Sequence, residues 1–311
     1  MPPSDSTAEL AAALRTASEP QLLRTLDRLR FVSQHSVSQR PGNTAVARLS
    51  QASGLELANH KPYAPGDDLR HLDWNAYGRL EQRLIKTFQA EREAPVHLLI
   101  DASASMGVPV ADGKLAFAAA LAASLAYIAL HQGSPVRAAI LAEGRAGGAL
   151  SAPLRHPQRL PELHRFLARL TAAGPTRLGE GIDAYLRSTQ TPGTVVVLSD
   201  FLVDPAVYQR GLDLLLARRY HVLALRVLGP EERDPGPGGG LVRLRDAESG
   251  TERIVELSAA HRQRYREALA AHLDELQRWC AARAIGFATA DSGAGLAACV
   301  LGAMPRAGLL Q

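Results

Sequence analysis

Residues 95–105 read PVHLLIDASAS, and this stretch decides the fold. Pro95 to Ile100 is a short, continuous apolar run, the signature of a strand covered on both faces. It stops at Asp101 and passes into an alternation of small and polar residues, Asp101-Ala102-Ser103-Ala104-Ser105. The same grammar recurs at residues 194–200, TVVVLSD, where a β-branched run ends on Ser199-Asp200. Between the two, Gly174-Pro175-Thr176 breaks the chain just before another helical pattern.

Working outward, strands alternate with helices. Lys114 to Gln132 is Ala-rich and helical, and Val136 to Ala142 is a strand, followed by a Gly147-Gly148 turn and a short strand within Ala149 to Leu154. Helices are predicted over Leu160–Leu170, Leu178–Ser188 and Ala206–Arg219, with a strand over His221–Leu228. The glycine- and proline-rich GPEERDPGPGGG then leads into LVRLRDAESGTERIVEL, read as a hairpin insertion at about 236–257 that turns near Ser249-Gly250. A long helix over Ser258–Arg283 is capped by its serine, and Ile285–Thr289 is the last strand. Buried strands alternating with helices predict a three-layer α/β domain around a mainly parallel central sheet.

Upstream, residues 7–32 read as helix broken at Ser18-Glu19-Pro20, with Leu22, Leu23, Leu26, Leu29 and Val32 near one face, as in a helix packed on the rest of the protein. Residues 33–60 are polar and weakly periodic. The expected organisation is an N-terminal helical extension over 1–60, a distinctive turn or docking segment over 61–94, and the α/β domain with its hairpin insertion over 95–311. In the middle segment Asp67, Asp68, Arg70 and Asp73 surround a Pro65-Gly66 turn. They form either a docking surface or a set of locally paired charges clamping the N-terminal region, with Trp74 as the anchor. Lys86, Glu91 and Glu93 read as a solvated face.

Composition narrows the classes of function. Hydrophobic residues make up 46%, ample for a packed core, and the net charge is only +4. Of 35 basic residues three are Lys and the rest Arg, scattered among acids without a basic, aromatic-interleaved run, so nucleic acid is not an expected partner. Cys280 and Cys299 are the only cysteines and form no CxxC, which suggests a reducing compartment. The start, MPPSDSTAEL, carries no signal-peptide pattern. Leu115–Leu130 is too short to span a bilayer and reads as a buried helix. The expected location is cytoplasmic.

Ligands of an open α/β sheet sit beyond the carboxyl ends of its strands. There Asp101, Ser103, Ser105, Thr176 and Asp200 offer two carboxylates and three hydroxyls, an all-oxygen set suited to a hard divalent cation. Mg²⁺ is the expected ion, with Mn²⁺ or Ca²⁺ as substitutes. Neutral hydroxyls leave such a cation with residual positive charge for an outside Asp or Glu.

These five residues match, position by position, the metal-ion-dependent adhesion site (MIDAS) of von Willebrand A-like domains, over roughly residues 95–292. Together with PYAPGDDLRHLDW and LIKTFQAEREAPVHLLIDASASMG, the chain resembles the bacterial family called domain of unknown function 58, back to about residue 55. The resemblance implies a metal-dependent adaptor that binds a partner's acidic residue and works with a MoxR-type AAA+ ATPase in assembling a protein complex. It also implies that Asp101, Ser103, Ser105 and Thr176 ligate or water-bridge the metal while Asp200 holds a coordinated water. Many relatives carry an N-terminal transmembrane pair that this sequence lacks.

Two other readings stay open. Asp101 at a strand end suits a phosphoryl-transfer hydrolase, although no second acid stands two residues on. No P-loop, HExxH or GxSxG is present, so an enzyme is not expected. A structural scaffold with a vestigial metal site is the third reading.

Overall fold

The computed structural model describes residues 5–32, 55–65, 72–90, 94–141, 149–189, 191–234 and 240–311. The chain divides into two compact units, one formed by Met1–His35 with Ala94–Gln311 and the other by Ser36–Glu93.

In the larger unit the helices α1 (Asp5–Thr16) and α2 (Pro20–Leu26) come first. Pro20 opens α2, where its missing N–H costs nothing. Leu10, Leu14, Ala17, Leu22 and Leu26 are all buried in one core cluster, so the predicted N-terminal helices do pack on the body of the protein.

The smaller unit is an antiparallel pair, β1 (Leu55–Pro62) and β2 (Leu84–Ala90), with α3 (Trp74–Leu80) between them. The sequence reading placed no strand in residues 55–62 or 84–90. The pairing is interrupted by a register shift between Leu57 and Asn59, and such a bulge breaks the period-2 pattern that announces a strand. The expectation that Trp74 anchors this region is corrected: it is 67% exposed at the first position of α3. Buried there instead are Leu72, bridged to Ile85, and Asp73, whose carboxylate accepts the Asn75 and Ala76 N–H groups as an N-cap. Asp67, Asp68, Arg70, Glu91 and Glu93 lie outside the described residues, as do the side chain of Lys86 and the Gly147-Gly148 turn.

The main sheet of the larger unit contains β3 (Val96–Asp101), β4 (Val136–Leu141), β5 (Ala149–Leu150), β6 (Thr194–Ser199), β7 (His221–Leu228) and, further on, a last strand at Gly286–Asp291. Between these run α4 (Lys114–His131), α5 (Leu160–Leu167), α6 (Leu178–Ser188), α7 (Pro205–Ala217) and the short α8 (Pro230–Arg233). The hairpin β8 (Leu241–Arg245) and β9 (Glu252–Glu256) and the long α9 (Ala259–Ala281) precede the last strand, β10. Ser258 caps α9 by accepting the His261 N–H, as its position predicts. The strand order is β10-β7-β6-β3-β4-β5, parallel except for β5.

Alternate residues of each strand feed opposite cores. Leu98 and Ile100 face a cluster with α1, α2, α4 and α5, whereas Leu99 faces one with α6, α7 and α9. The result is a three-layer α/β architecture around a mainly parallel central sheet. Helix α4 is the central element of its layer, and its many alanines let it lie close against the sheet. Val110–His131 is long and apolar enough to cross a membrane by length and composition, yet 89% of its most apolar window is buried within the fold.

Candidate functional site

Strand order reverses between β3 and β6: the chain leaves β3 toward β4 and β5, then returns to place β6 on the other side of β3. Such a switch point leaves a crevice at the carboxyl ends of the two strands. Asp101 is the last residue of β3 and Asp200 follows β6, so both carboxylates stand at this crevice, 2% and 1% exposed.

The first loop is fixed by its own polar groups. Asp101 Oδ1 accepts the Ser103 N–H at 2.9 Å, and Oδ2 accepts the Ser199 hydroxyl at 2.6 Å. The Ser103 and Ser105 hydroxyl oxygens are 3.0 Å apart. The loop carrying Thr176 is zipped onto it, with Ala104 N–H donating to Gly174 O at 2.8 Å and Ala173 N–H to Ala102 O at 2.9 Å. A side chain on Gly107 would put its Cβ 2.7 Å from that of Ala172, so only glycine lets the loops approach this closely.

Asp200 is held just as firmly. Its Oδ1 accepts the Leu202 N–H at 3.1 Å, across a turn in which Phe201 has φ 53°. A left-handed L-residue costs roughly 1–2 kcal/mol, and the fully buried Phe201 ring, edge-on to Tyr208, offsets it. Behind the site, Lys114 Nζ donates to Asp200 Oδ2 at 3.3 Å and to Glu232 Oε1 at 2.8 Å. Arg226, wholly buried, donates from Nε to the Asp200 carbonyl at 3.2 Å. Burial holds the Arg226 guanidinium below its ordinary pKa and pushes Glu232 above the usual carboxylate range, the latter opposed by Lys114.

Asp101 is pushed up to about 6, first by burial and then by repulsion from Asp200, against the hydrogen bonds from Ser199 and Ser103. The ammonium of Lys114 reaches Asp200, while the hydrogen bonds to Asp101 come from neutral donors. A carboxylate in that state gains from a nearby cation. Two of the donors also have suitable spacing. Neighbouring ligands of an octahedral Mg²⁺, each at about 2.1 Å, stand about 3.0 Å apart, which is the Ser103–Ser105 oxygen separation and equally that of a hydrogen bond between them. Among the described residues no three His, Cys, Asp or Glu side chains gather as a metal cluster. The residues fit a hard cation through hydroxyls and two carboxylates instead.

Three of the five expected residues, Asp101, Ser103 and Ser105, are linked by hydrogen bonds, and Asp200 stands near enough to Asp101 for their like charges to repel. Thr176 is brought alongside by the zipped loops, but its own bonds go elsewhere. Its N–H donates to Glu248 Oε2 at 3.0 Å and its hydroxyl to Glu248 Oε1, both from the β8–β9 turn. Beside the loops a cleft of about 560 Å³ is lined by Ala104, Met106, Val110, Lys114, Ala172 and Arg245, among others.

The sequence reading missed Ser199, Lys114, Arg226 and Glu248. Ser199 stands next to a residue it did name. Lys114 carried a signal: one of only three lysines in an Arg-rich chain, it opens the most apolar helix. Nothing local marks Glu248 among the charges of its hairpin.

The family described as "Protein of unknown function DUF58" matches over residues 59–275. Uncharacterized proteins of Mycobacterium tuberculosis and Mycobacterium bovis are 33% identical over 234 residues, 72% of this chain and 71% of theirs. Among solved structures, the conserved hypothetical protein BatB of Bacteroides thetaiotaomicron is 15% identical, with a TM-score of 0.41 over 69% of this chain and 98% of that one. A von Willebrand factor type A protein of Catenulispora acidiphila is 20% identical, with a TM-score of 0.32 over 48% of this chain and 35% of that one.

Proposed function

The chain belongs to the family described as protein of unknown function DUF58, and on that premise we propose that it is a metal-dependent protein-binding adaptor. One observation carries the reading: a buried carboxylate at the β3–β6 switch point, Asp101, sits with two hydroxyl oxygens 3.0 Å apart and a second carboxylate, Asp200, across the crevice. Asp101, Ser103, Ser105 and Thr176 would hold a Mg²⁺ or Mn²⁺ directly or through water, and Asp200 would orient a coordinated water. When bound, the cation supplies a positive centre that a partner's Asp or Glu completes. The residues around it do the rest: Ser199 orients Asp101, Lys114 balances Asp200, and the zipped loops hold the hydroxyls in place before any partner arrives.

The family resemblance supports a MoxR-type AAA+ ATPase as the partner that drives the assembly, in the cytoplasm, with no chemistry performed by this chain. The test is calorimetry with Mg²⁺ and Mn²⁺ on the wild type and on Asp101→Asn, which keeps the shape and removes the charge. Binding to the wild type that drops at least about tenfold in the variant supports the reading. A folded wild type that takes neither ion overturns it.

A further inference from the structure

The hairpin β8–β9 is an exposed arm. Leu241, Leu244 and Ile254 are among the most exposed large apolar side chains of the described residues, and Val242 and Val255 are only half-buried, so apolar burial does little to hold the arm down. Its turn, by contrast, is closely built. Asp246 N–H donates to Thr251 O, Gly250 N–H donates to Asp246 O, and Asp246 Oδ1 accepts the N–H groups of both Glu248 and Ser249 at 2.8 Å. Gly250 supplies the φ of 70° that closes the turn. Within this exposed turn Glu248 is half-buried, because its carboxylate reaches Thr176 and grips both the backbone N–H and the hydroxyl.

That grip resembles what the site is proposed to offer a partner. Thr176 lies two residues before α6, whose N-terminal end favours a carboxylate. We infer that Glu248 is an internal ligand, which closes the Thr176 side of the site until a partner's glutamate or aspartate displaces it. The consequence for partner binding rests on the metal-assisted reading above, whereas the latch itself rests on the Glu248–Thr176 contacts alone. An internal carboxylate competes at high effective concentration, so a partner must present its own acid on a segment with further contacts. The cleft beside Ala104, bordered by Arg245 and Ala247 of the same arm, has room for them.

Two measurements on the full chain test this. In the first, without metal, hydrogen exchange is followed at the Thr176 amide in the wild type, in Glu248→Ala and in Glu252→Ala, which removes another exposed acid of the arm. Exchange at Thr176 should speed up by about tenfold or more in Glu248→Ala, from the loss of a charge-assisted bond, and stay unchanged in Glu252→Ala. Unchanged exchange in Glu248→Ala overturns the latch, whatever the metal does. In the second, with Mn²⁺ present, a synthetic peptide copying Leu244–Glu252 is titrated into the wild type and Glu248→Ala. Binding at least about tenfold tighter to the variant supports displacement. Equal binding to both, or none to either with Mn²⁺ bound, overturns it. Failure of Mn²⁺ to bind either protein sinks the metal reading but leaves the exchange result to decide the latch.

Discussion

The β3–β6 switch point and the β8–β9 hairpin are both polar, but they are built on opposite principles. At the switch point both carboxylates are fixed more than once, Asp101 by two hydrogen bonds and Asp200 by an amide and an ammonium, and the loops are held by backbone bonds to each other. The hairpin is regular within itself, yet Leu241, Leu244 and Ile254 face solvent, and among the described residues the hydrogen bonds tying its turn to the body all go to one carboxylate. Stability is therefore concentrated in the first region, and the second can move without unfolding it. Substitutions in the two regions should differ in cost by several-fold, which gives the comparison its tests.

The largest effect is expected behind the site. Lys114→Met keeps the length of the side chain but leaves Asp200 and Glu232 buried without their cation. Breaking a buried pair in this way costs about 3–5 kcal/mol, read as a fall in the urea unfolding free energy. A loss below about 1 kcal/mol would show that the network is not what fixes Asp200.

Next comes a pH effect at the other end of β3. His97 is lowered to about 4 by burial and then by Arg137, and its Nδ1 lies 2.5 Å from the Tyr185 hydroxyl, with the Tyr220 ring beside it. The folded protein thus keeps His97 neutral where the unfolded chain protonates it near 6.5. This stability is complete above pH 6.5 and is lost as the pH falls toward 4, a change on the order of 3 kcal/mol. Urea titrations from pH 7.5 to 4.5 should show a steeper acid loss in the wild type than in His97→Phe. Parallel curves would remove His97 as the cause.

At the loops themselves, Gly107→Ala forces a Cβ to within 2.7 Å of the Ala172 Cβ, a contact with no flexible end to yield. The expected cost is about 1–3 kcal/mol, accompanied by weaker Mn²⁺ binding as Thr176 is pushed from Ser103 and Ser105. Full stability together with unchanged Mn²⁺ affinity would mean that the two loops are not coupled.

How much of this was legible in the sequence follows from where each signal resides. β3 and β6 were legible because doubly covered strands write themselves as unbroken apolar runs, and the residues ending them, Asp101 and Asp200, marked the crevice. The helix break at Pro20 and the Ser258 cap were legible because each is a local backbone requirement. β1 was not, because its bulge breaks the alternation, and β2 was not, because LIKTFQA does not alternate apolar with polar. Nor was the Lys114–Asp200 pair or the Glu248–Thr176 contact, 86 and 72 residues apart in the chain. Such pairings depend on how distant elements meet, and composition carries no record of that.

The smallest expected effect lies on the arm, and it sharpens the comparison most because it asks for nearly nothing. Ile254 is 67% exposed on β9, opposite Arg243 of β8, where a large apolar residue in water adds little to folding. Ile254→Ser should change the unfolding free energy by no more than about 0.5 kcal/mol, the usual range for surface sites, whereas Val197→Ser in the fully buried β6 should cost about 2 kcal/mol or more. A loss above about 1.5 kcal/mol would show that the arm is packed against something in solution. The hairpin would then belong with the rigid half of the molecule, and Glu248 would be one of several anchors, which would weaken the inferred latch.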